Sequence, residues 1–461
     1  MFYNIPYNTF KYRYLFKLIK RNGLIMITKE NIEYKRLYTL IFSMNYLFQG
    51  FTTSMFTVIV PIYILDLVSV TGDTITTSDI SFIASIILIP SAIKLIYGIL
   101  SDKFGIKNIG RRRPWIIIPV FISGLFWILL PFLVRFGDLI VIFTGLGFII
   151  NLGVMMADTA LDGLILDICP KERLGRVQGV VWGYRSIGMI GGGPFLAILV
   201  VTGIFERIDY TFIFLGILMI ISSLITFFIK EPTEYLKINM RKNFKKLFKD
   251  KKDVKTYLFS LFNAVSDGVI LLYLSLYILI QLGILESQQA SLNISPDDNL
   301  TAFLYQSYIS LTVSAGIIIG ALVGGIIADL KSRKLNVYIA MIFTSISIFF
   351  VLVNKDIVYF FIISGIIGIG IGWRHSAYSP VVSQMAKFHP KMDSTYFSLC
   401  NSLSNLGSTL GLTFMGLIFA ETASYLIVFI IIAIFQLINL VPFSTISSSY
   451  YETPKLKIEE I

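Results

Sequence analysis

GILSDKFGIKNIGRRRPW runs from Gly98 to Trp115. One acid and five cations, Asp102 with Lys103, Lys107, Arg111, Arg112 and Arg113, stand here between two apolar stretches. Alone, the cluster reads as a patch for a polyanion. Its flanks decide otherwise. The residues after it, from Trp115 to Val134, carry no charge at all, and those before it carry only Lys94 and Asp79 over two dozen positions. About 20 mostly apolar residues suffice to cross a bilayer as a helix. The cluster therefore reads as a loop at a membrane edge.

The whole chain agrees. Of 461 residues, 55% are hydrophobic and 15% charged, against about 25% charged in ordinary soluble domains. A mean hydropathy of +0.77 makes the bilayer the solvent. Twelve spans are expected, near 38–65, 79–100, 115–134, 139–166, 176–203, 210–230, 255–283, 302–328, 336–353, 357–385, 393–420 and 424–444. With the N-terminus in the cytoplasm, 33 of the 39 lysines and arginines fall on cytoplasmic segments. The outer loops then hold only Arg135, Arg207 and Lys355, as the positive-inside rule demands. The net charge of +11 is thereby explained as inner-leaflet charge, without nucleic acid. Cys169 and Cys400 have no metal spacing and read as packing residues, and two histidines, His375 and His389, are too few for a cluster.

Residues 230–255 are basic and polar and divide the spans six and six. The expected organisation is a basic cytoplasmic tail (1–36), a six-helix half (37–230), a linker (231–254), a second half (255–444) and a cytoplasmic tail (445–461). The linker is flexible or amphipathic, with enough positive charge to touch anionic lipid. Residues 1–36 form either an amphipathic helix on the inner leaflet or a lead-in that truly starts at Met26. The halves echo each other. Pro170-Lys171 recurs as Pro390-Lys391, and the glycine-x-x-x-aspartate element at Gly98–Asp102 recurs at Gly325–Asp329. Parallel repeats of this kind, with binding at their interface, are a transporter architecture.

On these residues the chain resembles the major facilitator superfamily across 37–444. The carrying elements are Gly98 to Asp102 with the arginines that follow, the weaker copy at Gly325–Asp329, and the long middle linker. Within that superfamily it is most similar to the muropeptide permease and acetyl-CoA transporter branch, through GRRRPW (110–115), DTALDG (158–163), ERLG (172–175), GYR (183–185), STYFSL (394–399) and NSLSNLG (401–407). Pro114 departs from that branch and is similar to sugar–cation symporters instead. The resemblance implies an all-α membrane protein of two pseudo-symmetric six-helix halves. It implies alternating access, with spans one, four, seven and ten lining the cavity. It also implies a latch, in which Asp102 meets span eleven and Arg111, Arg112 and Arg113 meet acids at the end of span four, Asp167 being nearest. Gly98, Gly325 and Asp329 belong to the same expectation. Orientation charge alone is the plainer reading of these residues.

A charge at membrane depth marks a functional hypothesis. Six qualify: Lys94, Asp158, Asp162, Arg185, Asp267 and Arg374. Asp158 and Asp162, four apart, share a helix face. At about 1.5 Å per residue, Asp158 and Arg185 lie at matching depth, as do Asp267 and Arg374. The first pair is either a packing pair or a relay in which a carboxylate takes a proton. Lys94 either snorkels to the inner surface or meets a substrate anion. Asn45, Gln49, Trp373 and His375 complete the cavity candidates, His375 as proton carrier or as a packing residue. Gly175, Gly179 and Gly183 on span five, and Gly316, Gly320 and Gly324 on span eight, predict close helix contact, and the resemblance implies that spans five and eight cross between the halves, where a sliding contact would lie. GIGIG at 368–372 lies inside a span with no strand before it and is not a nucleotide loop. No catalytic constellation or ATP site is evident. The expected protein is a monomeric, proton-coupled secondary transporter of the plasma membrane. It takes a small or medium polar or anionic metabolite, uses no cofactor and no metal, and is not an enzyme. A sugar–cation symporter and a non-transporting receptor or scaffold on the same fold are the alternatives.

Overall fold

In the computed structural model, residues 34–71, 74–106, 109–169, 171–231, 247–288, 291–293, 299–330, 332–389 and 392–452 are described. The N-terminal tail and most of the linker lie outside them. Among the described residues twelve helices are long and apolar enough to span a bilayer. Spans one to six are Arg36–Ser69, Thr77–Ser101, Arg113–Leu133, Leu139–Ile168, Val180–Val201 and Asp209–Phe228. Spans seven to twelve are Lys251–Gln281, Leu300–Ile327, Arg333–Phe350, Ile357–Ala386, Thr395–Thr422 and Tyr425–Ser444. The twelve expected spans and the all-helical membrane fold are what the chain adopts.

The packing repeats. Span one lies on span five as span seven lies on eleven, span three lies on six as nine lies on twelve, and span two lies on four as eight lies on ten. The face carrying Arg111–Arg113 is called here the basic face, and its opposite the far face.

Several spans are broken, and each break exposes backbone that another side chain must satisfy, because lipid offers no hydrogen bonds. Span two begins with a capping box, Thr76 against Asp79, and is interrupted at Ile93, three residues after Pro90. Proline removes a donor and clashes with the preceding turn. Next to this break the Asn151 amide donates to Ile87 O at 2.5 Å and the Asn405 amide to Ser91 O at 3.0 Å. Span one widens into a π-turn at Met55–Ile59, next to Pro61. Pro61 cannot donate to Thr57 O, and Gln306 of span eight does so instead, at 3.2 Å. Span seven stops at Asn263 and restarts at Asp267.

The halves meet toward the far face. There β1 (Ile75–Thr76), from the loop before span two, pairs antiparallel with β3 (Ser291–Asn293), from the loop after span seven. β2 (Glu286–Gln288) completes the sheet on the other side of β3. Ile75 and Leu292 face each other across this pairing, both buried. Below it, the Ser78 and Ser81 hydroxyls donate to Gly416 O and Leu412 O, at 2.7 and 2.8 Å, and tie span two to span eleven. These contacts join the two halves on the far side.

Candidate functional site

A cavity of about 210 Å³ lies between the halves, walled by spans one, two, four, five, seven and eleven. Its two ends differ. Toward the far face it is lined by Pro61, Ile64, Ile80, Ile83, Ala84 and Leu88. Toward the basic face it ends on Thr53, Ser91, Lys94 and Arg185.

The two cations share one acid. Lys94 Nζ stands 2.5 Å from one oxygen of Asp158, and Arg185 Nη1 stands 3.4 Å from the other. Each cation keeps about a sixth of its side chain exposed, 17% and 16%, while Asp158 keeps 4%. The cations thus face the cavity and the acid stands behind them. Lys94 opens the second segment of span two, so the Pro90 break turns it inward. It does not snorkel but pairs with an acid of span four. Arg185 also lies 5.0 Å above the Trp182 ring. Asp162, one turn along from Asp158, accepts from the Tyr46 hydroxyl of span one.

The second half has its own cluster. Asp267, the first residue after the break in span seven, accepts from Arg374, and His375 Nε2 lies 3.1 Å from its other oxygen. Arg374 also donates to Asn263 O, the carbonyl left by the break. Its side chain is fully buried, whereas that of His375 is 49% exposed.

Other candidates fall elsewhere. Asn45 donates to Thr226 Oγ1 of span six at 3.1 Å, and Gln49 is buried one turn along the same helix; neither lines the cavity. Trp373 donates to Asn336 Oδ1 at 2.7 Å and packs on Phe343, so it faces span nine. The glycines of span eight do not lie where the halves slide. A Cβ on Gly316 would meet Gly365 O at 2.1 Å, and one on Gly320 would meet Ile369 O at 2.0 Å, so both press span eight onto span ten. Gly183 has nothing within 4 Å. The close approach of span five is to span one instead, with Gly188 against Leu47 O. The surroundings of Gly175 and Gly179 lie outside the described residues.

The arginine loop is held inside its own half. Arg111 Nη2 and Arg112 Nε reach Asp167 at 2.9 and 2.6 Å, as expected. Arg113 instead pairs with Glu231, beyond span six, at 3.8 Å. Glu231 also accepts from the backbone amides of Arg112 and Arg113, at 2.7 and 3.1 Å. The described ion pairs of this loop join parts of the first half and do not bridge to the second. Gly98 lies against Thr159 of span four and Gly325 near Ser376 of span ten. The side chains of Asp102 and Asp329 lie outside the described residues.

Glu231 was not among the residues singled out, nor was its counterpart. Glu452 accepts from the amides of Arg333 and Lys334 at 3.2 and 2.9 Å, and from the Ser332 hydroxyl at 2.6 Å. The geometry repeats 221 positions on, 112 to 333 and 231 to 452, and the sequence marks both sites with a glutamate one or two positions before a proline, Lys230-Glu-Pro and Glu452-Thr-Pro. Tyr46, Asn151, Ser91, Asn405 and Ser408 were also missed. A polar residue without charge inside an apolar run gives no sign of which neighbour it meets. Among the described residues no group of three or more His, Cys, Asp or Glu is placed to hold a metal.

The profile of the Major Facilitator Superfamily matches residues 42–295, and that of the family described as "Sugar (and other) transporter" matches 271–460. A protein of Rickettsia conorii named "Putative transporter AmpG 1" is 26% identical over 348 residues, 71% of this chain and 80% of its own length. Its namesake in Rickettsia prowazekii is 26% identical over 366 residues, with 71% and 81% covered. Among solved structures, the nucleoside transporter NupG aligns with a TM-score of 0.65 at 12% identity, covering 89% of this chain and 99% of that one. A D-xylose–proton symporter does so at 0.65 and 14%, covering 90% and 99%. Two halves of six helices, a cavity between them and a profile match over more than half the chain lead to one conclusion: this protein belongs to the major facilitator superfamily.

Proposed function

We propose that the chain is a proton-coupled secondary transporter that carries a small or medium polar or anionic metabolite through the cavity between its halves by alternating access. The AmpG-like relatives and the symporter neighbour support transport as the activity. The observation that carries the coupling is the sharing of Asp158 by Lys94 and Arg185 at the cavity's edge. A carboxylate held by two cations stays ionised. An anion that takes those cations frees it to accept a proton, with Asp162 and Tyr46 one turn away as the next station. Substrate charge and proton uptake are then linked at one site. The basic face is cytoplasmic by its lysines and arginines, the membrane is the plasma membrane, and the working unit is the monomer.

Purified protein in liposomes, with a pH gradient imposed, tests this. Asp158→Asn is expected to lower gradient-driven uptake about a hundredfold or more, the scale of a lost proton-transferring group, while counterflow exchange persists. If gradient-driven uptake survives the substitution, coupling lies elsewhere. The match of residues 271–460 to sugar transporters favours sugar–cation symport as a second reading. Uptake driven equally for neutral sugars and refused to anions would select it. Failure to move any substrate of a broad panel would point to a receptor or scaffold.

A further inference from the structure

The cavity has a charge at one end and no polar partner at the other, and that asymmetry speaks to what it holds. Resting on the transport reading above, we propose that the ligand is an organic carboxylate with a compact apolar body, its head on Lys94 and Arg185 and its body toward Pro61, Ile64 and Ile83.

Three observations lead there. First, the cations line the cavity while the acids of the same cluster do not. Asp158 is almost wholly covered, and Asp162 is absent from the wall. The groups presented to a ligand are therefore the cations, with the acids behind them. Second, an ammonium and a guanidinium already converge on the two oxygens of one carboxylate, that of Asp158. A carboxylate from a ligand replaces like with like. Such charge-assisted contacts are the strong hydrogen bonds of proteins. Third, the wall toward the far face is aliphatic and proline-bearing over spans one and two. An apolar cavity excludes water and accepts apolar guests. A hydroxyl-rich body would lose its hydrogen bonds there. The amide side chains of the wall, Asn151 and Asn405, each already give an N–H to a backbone carbonyl, Ile87 O and Ser91 O. A cavity of about 210 Å³ suits a body the size of one aromatic ring with a short chain.

The test is calorimetric titration of the purified full-length protein in nanodiscs. The probes are 4-phenylbutyrate, its neutral amide, the matching primary amine, and acetate. The carboxylate is expected to bind at least about tenfold tighter than the amide, the amine and acetate not measurably. Lys94→Gln and Arg185→Gln should each weaken 4-phenylbutyrate about tenfold. Ala84→Trp, which fills the apolar end without touching either cation, should abolish binding. Melting curves verify that each variant is folded, and the wild-type probe series stands even if one variant is not. Equal affinity for carboxylate and amide overturns the proposal, as does unchanged binding in folded Ala84→Trp. Proton-driven uptake of a hydrophilic conjugate that 4-phenylbutyrate does not inhibit would uphold transport and overturn this ligand class. Binding as expected, with no transport of any anion, would uphold the ligand class and overturn the transport reading.

Discussion

The two halves share a fold and use buried charge differently. In the first half, Lys94, Asp158 and Arg185 come from spans two, four and five, and the two cations border the central cavity. In the second, Arg374 is sealed against the break in span seven and holds both Asn263 O and Asp267, while His375 reaches the same acid from the open side. In the proposed site one arginine exchanges its partner for a ligand. The other completes a broken helix and has nowhere to go. Pseudo-symmetric helices thus leave room for asymmetric chemistry, with an exchangeable cluster in one half and a structural one in the other.

The contact between the halves gives the largest effect. The β1–β3 pairing must open if the far side is to open, so fixing it should stop the cycle. Cysteines at Ile75 and Leu292, which face each other across the two strands, are expected to crosslink under mild oxidation and to abolish uptake, with recovery on reduction. The native cysteines, Cys169 and Cys400, are both buried, so the background is quiet. Full transport with the crosslink formed would mean that this sheet is no gate.

The glycines come next. Gly320→Leu drives a side chain into Ile369 O of span ten. Overpacking usually costs about 1–3 kcal/mol, and backbone at 2.0 Å cannot yield as a side chain does. Loss of folded protein on size-exclusion chromatography is expected. Gly183→Leu meets nothing and should fold as the parent does. If the two behave alike, the glycines have a role other than helix packing.

The arginines then separate the two clusters. Arg374→Gln leaves the half-buried Asp267 with His375 alone and strips Asn263 O of its donor, a change expected to cost up to about 3–5 kcal/mol, the scale for a broken buried pair. Arg185→Gln leaves Asp158 with Lys94 and should cost much less. Melting temperatures are expected to fall steeply for the first and slightly for the second, with transport showing the reverse preference among folded variants. Equal losses would erase the distinction between an exchangeable and a structural arginine.

These residues also show where the sequence is legible. The spans and the depths of Asp158, Arg185, Asp267 and Arg374 follow from hydropathy and a fixed rise per residue, and both ion pairs form. What the sequence does not carry is rotation about each helix. In a soluble helix the apolar face points inward. In a membrane both lipid and core are apolar, so hydropathy cannot say whether Asn45 faces the cavity or span six, or Trp373 the cavity or span nine. The glycines of span eight suffer the same blindness, since their spacing announces a close neighbour without naming span ten. Lys94 was hidden by a different cause, since the Pro90 break shifts everything after it and a regular helix cannot be extrapolated across. Glu231 and Glu452 lie outside the spans, where no periodicity operates, and only the repeat itself could have exposed them.

That pair of glutamates carries the smallest effect and the sharpest control. Glu231 and Glu452 do the same thing in the two halves, accepting the first amides of spans three and nine. A helix N-terminus welcomes negative charge, and here the sequence supplies it from the end of the half. Burial alone would raise the Glu452 carboxyl, but the Ser332 hydroxyl, the Lys334 and Arg333 amides and the Arg333 charge hold it below its ordinary value. A depressed acid stabilises the fold above its unfolded pKa, about 4.3, and the gain is lost as pH falls through the lower folded value. Glu452→Gln should therefore melt lower than the parent at pH 7, and the gap should close as the pH drops below about 4. Glu231→Gln should lower the melting temperature in the same sense, since it also leaves Arg113 without its acid. A gap that stays constant with pH would assign Glu452 a packing role rather than an electrostatic one, and the symmetry between the two caps would then be of shape alone.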